Sequence, residues 1–291
     1  MTQPNSSGPA LGRIWARAPW AMRVGGAILV VHLLAALFGP LLAGWGPAQM
    51  GAGPPLAGPS WAHPFGIDQL GRDIFSRVLH GARVVLILSL SGTALGVLVG
   101  AVIGLLSGLA GGWIDDLIQR GMEILISIPF LVLALIAMVA VGPILSGRPE
   151  TVIGVVALIY APRVARIARA AAQDIATRDF VTVARLRGDS ALAIMWREIL
   201  PNARGVLMVE FSLRASYAPV LVGSLGFLGF GLRPPTPEWG LMIAENRALL
   251  IVTPWAVLGP GLALSSLVVG LNLFTDGLAR FLGRHADFGA R

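Results

Sequence analysis

The sequence of 291 residues contains no cysteine and no lysine, and only 13% of its residues are charged. Without cysteine the chain can form neither a disulfide nor a thiolate metal site. Without lysine it cannot contain the Gly-Lys-Ser/Thr pattern that binds the phosphates of ATP. The commonest hydrolase motif, Gly-x-Ser-x-Gly, is also missing. These absences leave no catalytic residue to assign, and we expect a chain that is not an enzyme and does not hydrolyse ATP itself.

Metal ligands are equally scarce. The chain has four histidines, and none lies four residues from another, the spacing that a helical zinc site needs. They are His32, His63, His80 and His285. We therefore predict no metal site and no cofactor bound by this chain.

Apolar residues, by contrast, are abundant. They make up 55% of the chain, and the mean hydropathy is +0.77, whereas soluble domains carry about 25% charged residues. A hydrocarbon core about 30 Å thick needs roughly 20 apolar residues in a helix. Six segments approach that length, namely 22–45, 83–110, 117–141, 152–172, 205–228 and 254–276. The sequence therefore predicts an all-α integral membrane protein with six transmembrane helices.

The distribution of arginine predicts the orientation of these helices. All 22 basic residues are arginines. Fourteen of them lie in three groups, near the amino terminus (Arg13, Arg17 and Arg23), from Arg163 to Arg204, and in the tail (Arg280, Arg284 and Arg291). Because positive flanks stay in the cytoplasm, both termini are expected inside. The predicted divisions are a cytoplasmic tail 1–21, a first transmembrane helix 22–45, a periplasmic Pro/Gly-rich segment with a short helix 46–82, a five-helix domain 83–278 with a cytoplasmic loop at about 173–204, and a cytoplasmic tail 279–291.

Glycine and proline mark the interiors of three spans. Span two carries a glycine at every fourth position from Gly92 to Gly108, so one face of the helix has no side chains. Such a face favours close packing against a neighbouring backbone, and a moving interface is the alternative. Pro129 in span three and Pro162 in span four each remove a backbone donor and predict kinks.

Two polar segments are expected on the outer side. Asp68 with Arg72 and Asp73 with Arg77 have the i,i+4 spacing of helical ion pairs, which predicts a short surface helix before span two. Exposed pairs of this kind contribute only about 0.3–0.5 kcal/mol each. The segment 233–240 is stiffened by prolines into an extended turn, and its Trp239 is expected at the outer membrane interface. Either segment is a candidate surface for an extracytoplasmic partner.

The loop between spans four and five has the pattern of two short helices. Phe180, Val183 and Ala184 fall on one helical face. Gly188 then interrupts the pattern, and a second helix is predicted from Leu192 until Pro201 ends it. Charge alone leaves two interpretations open, a basic flank lying on anionic lipid and a docking surface for a partner protein.

A resemblance favours the second interpretation. The residues Thr182-Val183-Ala184, Gly188 and Glu198-Ile199-Leu200-Pro201 resemble the signature of ATP-binding-cassette (ABC) importer permeases, Glu-Ala-Ala, three residues, Gly, nine residues, Ile-x-Leu-Pro. Thr182, Val183 and Glu198 depart from that pattern. The departure at Thr182 removes a carboxylate on which family contacts at this position would rely.

Further motifs extend the resemblance over nearly the whole chain after residue 20. They are similar to the second permease subunit of dipeptide, oligopeptide and nickel importers. The motifs are Asp68-x-x-Gly-Arg-Asp-x-x-Ser-Arg77, Ala161-Pro-Arg-Val-Ala-Arg-Ile-Ala-Arg169, Gly226-Phe-Leu-Gly-Phe-Gly231, Pro234-Pro-Thr-Pro-x-Trp-Gly240 and Asn272-Leu-Phe-Thr-Asp276-Gly277-Leu-x-Arg280.

The resemblance implies an ABC importer type-1 transmembrane domain with a cytoplasmic coupling helix. It implies a heterodimer with a paralogous permease, two cytoplasmic ATPases that use ATP and Mg, a periplasmic solute-binding protein, and surrounding inner-membrane lipid, with no nucleic acid. Short peptides are the expected cargo, and nickel complexes, glutathione and opine-like compounds are alternatives. The implied ATPase-coupling residues are Arg178, Asp179, Phe180, Thr182, Val183, Ala184, Arg185, Leu186, Arg187 and Gly188.

Span five contains two charges in an otherwise apolar run. Glu210 and Arg214 lie four residues apart and can pair on one helix face. An unpaired arginine near the membrane centre costs about 2.5–3.5 kcal/mol on insertion scales. The pair is either a self-neutralised packing element or part of a translocation path for a zwitterionic peptide. The family often has an acidic residue at the position of Val222, and this chain does not.

Two other classes of function stay open at this point. One is a self-sufficient channel or secondary transporter, which would use intramembrane ionisable residues. The other is a membrane anchor for a soluble complex.

Overall fold

The computed structural model describes residues 18–289 and the side chains of residues 18–281. Most of the predicted tail 1–21 lies outside the described residues. Nearly all regular structure in the described part of the chain is helical. The helices are α1 Trp20–Leu42, α2 Ile74–Ala110, α3 Gly112–Ser127, α4 Phe130–Val141, α5 Pro149–Ala176, α6 Asp179–Leu186, α7 Ala191–Phe227, α8 Trp239–Asn246 and α9 Trp255–Gly289.

Five of these helices, α1, α2, α5, α7 and α9, are long and apolar enough to cross a membrane. The predicted third span, 117–141, is not one helix. It is divided into α3 and α4, which meet at an angle of 99°. Ile128 has extended dihedral angles because the ring of Pro129 disfavours helical geometry in the residue before it. The proline therefore breaks the span rather than only kinking it, and the bent pair counts as a sixth span if both parts are taken together.

The glycine face of α2 packs directly on α5. A Cβ at Gly92 would lie 2.7 Å from the Cβ of Val156, and one at Gly100 would lie 2.8 Å from the Cβ of Val164. Contacts continue in the same order to Gly108, which faces the backbone of Arg169, so the two helices run parallel. The close packing predicted for the stripe is confirmed.

Helices α1 and α9 pack against each other in an antiparallel arrangement. Gly25 on α1 faces the backbone of Phe274, and the Nε2 atom of His32 lies 3.1 Å from the carbonyl oxygen of Ala263. Early residues of α1 therefore meet late residues of α9, and the helices are antiparallel. On α7, Ser216 lies 3.1 Å from Thr275 of α9 between hydroxyl oxygens.

These directions give the bundle two distinct ends. We call the end that carries Ala110, Ala176 and α6 the loop end. The end that carries the segment 43–73 and helix α8 is called the opposite end. A core of alanine and larger aliphatic residues joins α2, α5, α6 and α7 at the loop end. A second core, with residues of α4, α5 and α7, lies nearer the opposite end.

The polar loop differs from its prediction after Gly188. The second short helix does not end at Pro201, because α7 is continuous from Ala191 to Phe227. A π-helical turn at Met195–Ile199 widens the helix directly before the proline. Such a turn relieves the clash between a proline ring and the preceding helical carbonyls. The predicted fifth span therefore begins inside a longer helix.

The opposite end also differs from its prediction. No separate short helix forms between α1 and α2. Helix α2 begins at Ile74, so it contains span two and only the last residues of the predicted short helix, up to Arg77. After the proline-rich segment, α8 and a 3₁₀ turn at Arg247–Leu249 form structure that the sequence pattern did not indicate. Trp239 does not present its ring at the surface of the chain. It is buried, and its Nε1 donates to the carbonyl oxygen of Val78 at 3.0 Å.

Candidate coupling helix and intramembrane cavity

Helix α6 has one buried and one exposed face. Val181 and Ala184 are fully buried against loop-end residues of α5 and α7. Phe180, Val183 and Leu186 are 36%, 50% and 83% exposed. The predicted face of Phe180, Val183 and Ala184 is therefore divided, since Ala184 packs inward and cannot belong to an outer contact surface. The remaining apolar residues leave a surface patch on a helix that is anchored from behind.

Polar neighbours surround this patch. Arg178 precedes the helix and pairs with Asp174 at 3.2 Å, and Asp179 lies in the first turn, where the helix dipole favours an acidic group. Arg187 pairs with Asp189 at 3.1 Å and lies 3.6 Å from Glu198. All the implied coupling residues are exposed except Ala184, and the exposed ones are Arg178, Asp179, Phe180, Thr182, Val183, Arg185, Leu186, Arg187 and Gly188.

Gly188 ends α6 through its backbone conformation. Its φ angle is +80°, in the left-handed region that favours glycine. Its N–H donates to the Arg185 carbonyl at 3.0 Å, and the Asp189 N–H donates to the Ala184 carbonyl at 3.2 Å. These two bonds form a Schellman motif, which satisfies the last carbonyls of a helix. The interruption predicted at Gly188 is confirmed.

Inside the bundle, Glu210 and Arg214 of α7 form the predicted pair. The guanidinium donates to one carboxylate oxygen of Glu210 at 2.7 and 3.1 Å, and Glu210 is only 6% exposed. Arg214 lines a cavity of about 250 Å³ between α4, α5 and α7, whereas Glu210 does not. Sequence reasoning missed the other lining residues, which are Phe130, Ile159, Tyr160, Arg163, Tyr217, Val220 and Leu221.

A polar cluster at the loop end was also missed. The Asp115 carboxylate of α3 accepts hydrogen bonds from the Arg169 Nε at 2.6 and 2.9 Å and from the hydroxyl of Ser107. The side chain of Asp115 is almost fully buried. It ties α3 to both α2 and α5. Asp115 precedes Arg169 by 54 residues, and a separation of this length gives no periodic signal in the sequence. This explains why the sequence did not indicate the pair.

At the opposite end, the predicted ion pair between Asp68 and Arg72 forms, but it is buried rather than at the surface, and the predicted pair between Asp73 and Arg77 does not form. Asp68, Arg72 and Arg77 are buried, and one carboxylate oxygen of Asp68 accepts from Arg72 at 2.6 Å and from Arg77 at 3.0 Å. Both arginines also lie 3.0 Å from Glu245 of α8. Asp73 does not pair with Arg77. It accepts from the backbone N–H of Ser76 and so caps α2. The cluster fastens the start of α2 to α8.

A further buried carboxylate at this end begins α8. Glu238 accepts hydrogen bonds from the backbone N–H groups of Gly240 and Leu241, each at 2.8 Å. Burial raises the pKa of Glu238 to about 7, although the two backbone donors act to lower it. The carboxylate packs against Gly226 so closely that a Cβ there would collide with it.

Residues 96–287 match the family of binding-protein-dependent transport system inner membrane components. The chain belongs to this permease family. The match begins within α2 and includes α6, the cavity and most of α9. The predicted resemblance to ABC importer permeases of the peptide and oligopeptide group is confirmed.

Three relatives of this permease cover most of its length. The di/tripeptide transport system permease protein DppC of Pseudomonas aeruginosa is 37% identical over 262 residues, which cover 88% of this chain and 85% of the relative. The dipeptide transport system permease protein DppC of Alkalihalophilus pseudofirmus is 32% identical over 289 residues, covering 96% and 94%. The glutathione transport system permease protein GsiD of Escherichia coli is 41% identical over 221 residues, covering 76% and 72%.

In this permease, one departure from the family signature has a local structural role. Glu198 takes the place of an isoleucine and lies 3.6 Å from Arg187, across the turn that follows α6. It thus supports the turn by charge. Thr182 is exposed on α6 and has no side-chain hydrogen bond to the described residues. Val222, at the position where the family often has an acid, is buried in the apolar core.

Proposed function

We propose that this permease is one of two paralogous membrane subunits of an ATP-driven importer of short peptides in the bacterial inner membrane. The loop end faces the cytoplasm in this proposal, with both termini inside. Two cytoplasmic ATPases bind ATP and Mg, and a periplasmic solute-binding protein delivers the cargo. The family description supports the dependence on a binding protein, and the excess of arginine near the loop end supports the orientation.

The observation that carries the proposal is the division of α6 into two faces. Its inward residues, Val181 and Ala184, fix the helix on the loop-end core, while Leu186 is 83% exposed. An apolar surface at a polar end of a membrane protein is unfavourable unless a partner covers it. A protein docking there would therefore bind apolar side chains and, at the rim of the apolar patch, Arg178, Arg185 and Arg187.

The surrounding helices suit the transmission of movement from this surface. Helix α6 packs on α5 and α7, and α5 is joined to α2 by backbone-close contacts along its length. Because such packing does not deform continuously, a push on α6 displaces these helices together. Closure of the ATPases would then select between inward-open and outward-open arrangements of the two permeases.

The cargo follows from the relatives. Two of them are named for dipeptides or di/tripeptides and one for glutathione. We propose short peptides as the cargo class and glutathione as the second candidate, supported by the 41% identical relative. Nickel complexes and opine-like compounds have no relative among these three. Membership of the importer family makes a self-sufficient channel or a passive anchor unnecessary as an explanation.

Co-purification tests this proposal. The chain is expressed with its second permease, the ATPases and the binding protein, extracted in mild detergent and isolated through a tag on this chain. We expect the ATPases to co-purify and their hydrolysis to rise when dipeptide-loaded binding protein is added. Leu186→Asp should release the ATPases, whereas Ile251→Asp, at an equally exposed apolar residue of the opposite end, should retain them. Retention of the ATPases by Leu186→Asp would contradict the role of α6.

A further inference from the structure

Arg163 lies near the middle of α5, a helix long and apolar enough to cross a membrane, and has no acidic partner in the described part of the chain. It is the fifteenth residue of α5, which has 28 residues. Its only hydrogen bond within the described part of the chain runs from Nη1 to the carbonyl oxygen of Ile159, at 3.3 Å, on its own helix. Intramembrane arginines are rare, and they face a cavity or a ligand pathway when they are kept. Arg163 fits that description, because it lines the cavity between α4, α5 and α7.

The same cavity holds the other groups that an anion needs. Arg214 faces it from α7, with its charge offset by Glu210, so the charge of Arg163 is left over. The chain has two tyrosines, and both line this cavity. Neither Tyr160 nor Tyr217 has a hydroxyl hydrogen bond to another described residue, which leaves both hydroxyls free to donate. Tyr160 lies three residues from Arg163 on α5, and Tyr217 lies three residues from Arg214 on α7, so both helices contribute donors to the wall of this cavity.

This arrangement matches a carboxylate better than any neutral group. A guanidinium binds a carboxylate through two parallel N–H donors, and such charge-assisted bonds are about twice as strong as neutral ones. The cavity of about 250 Å³ is smaller than the sites that enclose whole drug-sized ligands, roughly 300–1,000 Å³. It therefore suits one end of a cargo molecule. Phe130, Ile159 and Leu221 provide the apolar part of the wall.

We propose that this cavity is an anion site in the translocation path that holds the carboxylate of the transported peptide, with Arg163 as the main contact and Tyr160 and Tyr217 as donors. The identity of the ligand rests on the proposed function, whereas the anion site does not. Arg214 contributes the side of its guanidinium that does not bond to Glu210, and it remains paired with Glu210. The site extends the predicted path of Glu210 and Arg214 to residues of a second helix.

The absence of cysteine permits a direct test of the site. Tyr217→Cys introduces a single thiol beside the cavity at a position that is 58% exposed. The importer complex, with its other subunits made cysteine-free, is treated with an anionic or a cationic methanethiosulfonate reagent, and labelling of this chain is followed by mass. The ratio of the two rates reports local charge, because any change in thiol pKa affects both reagents alike.

The anionic reagent should react faster relative to the cationic one, and adding Arg163→Gln should lower that ratio about tenfold. Arg166→Gln, on an exposed part of α5, is the matched control and should leave the ratio unchanged. An unchanged ratio in Arg163→Gln would overturn the proposal. A ratio that favours the cation from the start would also overturn it, since an acid of the partner permease or a lipid phosphate would then be occupying Arg163.

The ligand is tested separately. The dipeptide Ala-Ala should slow labelling at Tyr217→Cys, and its carboxyl-terminal amide should not. Equal protection by both compounds would overturn the assignment of a carboxylate. Uptake of Ala-Ala should fall about tenfold in Arg163→Gln and stay unchanged in Arg166→Gln. If the unsubstituted complex neither hydrolyses ATP nor takes up peptide, the importer proposal fails, while the labelling ratio still decides the anion site.

Discussion

Single carboxylates inside this permease have different partners. Asp68, Asp115 and Glu210 each accept hydrogen bonds from arginine side chains. Glu238 is buried as deeply, yet its hydrogen-bond partners in the described part of the chain are the backbone N–H groups at the start of α8. No cation within hydrogen-bond distance compensates its charge in the described residues. It is therefore the carboxylate whose protonation should respond to pH near neutrality.

We expect the stability of the opposite end to fall as the pH rises towards 7. The pKa of Glu238 is about 7 in the folded protein, against 4.5 for an ordinary glutamate. Between these values the folded state binds more protons than the unfolded chain, so the free energy of unfolding decreases with pH, by at most about 3 kcal/mol. Melting temperatures in detergent from pH 5 to pH 8 should fall for the unsubstituted protein and much less for Glu238→Gln.

Glu150→Gln is the control for this measurement, because Glu150 is an exposed glutamate in the first turn of α5. It should keep the pH dependence of the unsubstituted protein. An identical pH dependence in Glu238→Gln and in Glu150→Gln would show that Glu238 does not titrate in this range.

A second prediction concerns Gly188. Gly188→Val should reduce transport at a given rate of ATP hydrolysis, because a β-branched residue at φ +80° costs roughly 1–2 kcal/mol and reorients the end of α6. The measurement is the ratio of peptide uptake to ATP hydrolysed in reconstituted vesicles. Gly205→Val, at a helical glycine with open space around it, should leave the ratio unchanged. An unchanged ratio in Gly188→Val would contradict a role for this turn in coupling.

The residues that the sequence identified are those with local partners. The bond between Asp68 and Arg72 and the pair of Glu210 with Arg214 both follow from a spacing of four residues. Glu245 lies 173 residues after Arg72, and only the folded bundle brings the two together. The same limitation hid Arg163, which is one of several arginines along α5 and differs from them by facing a cavity.

At the scale of helices, the most extensive contact in the described part of the chain is that between α2 and α5. Small residues on α5, Ala161 and Ala165, face Gly100 and Gly104 through their backbones. Without side chains between them the two helices gain van der Waals contact and exclude lipid, which is how helices associate in a bilayer. Any added side chain must push the helices apart.

Gly104→Leu should therefore destabilise the bundle. Its Cβ would collide with the carbonyl oxygen of Ala165, and overpacking of this kind costs roughly 1–3 kcal/mol. The melting temperature of the purified protein in detergent measures the effect. Gly154→Leu on α5 adds the same side chain where no atom lies within 4 Å, and it should be tolerated. Equal melting temperatures for the two variants would mean that the α2–α5 contact does not limit stability.

Prolines show how far the helices could be predicted. Pro129 breaks the third span, α5 continues through Pro162, and α7 continues through Pro201 behind a π-helical turn. The sequence contains the same residue in each case, and the outcome depends on whether neighbouring helices hold both sides of the proline in line. Tertiary packing decides this, so the sequence predicted that the spans exist but not where they bend.

At the scale of the whole molecule, the two ends of the bundle differ in composition. The loop end exposes arginines around α6, and the opposite end is dominated by the proline- and glycine-rich segment 43–73 and by α8. From the positive-inside rule we expect the arginine-rich end in the cytoplasm. The family match is consistent with an inner membrane component.

Labelling of single thiols in intact cells tests this orientation. Leu186→Cys on α6 should react with a membrane-impermeant maleimide only after the inner membrane is permeabilised. Trp61→Cys, in the fully exposed part of the opposite-end segment, should react in cells with only the outer membrane opened. The reverse pattern would show the opposite orientation, in which α6 lies on the other side of the membrane from the cytoplasmic ATPases. Because the chain has no cysteine of its own, no background substitution is needed in it.

Helix α2 is synthesised before α5, so the parallel pairing of the two helices can form only after a delay. Gly92 leaves the ribosome about 60 residues before Val156, an interval of roughly 3–12 s at 5–20 residues per second. During that interval the bare face of α2 contacts lipid tails, which do not fit it as the side chains of α5 do. The nascent chain therefore spends seconds in the bilayer with an unfilled groove, and a chain that stalls before α5 offers that groove to whichever protein assists its insertion.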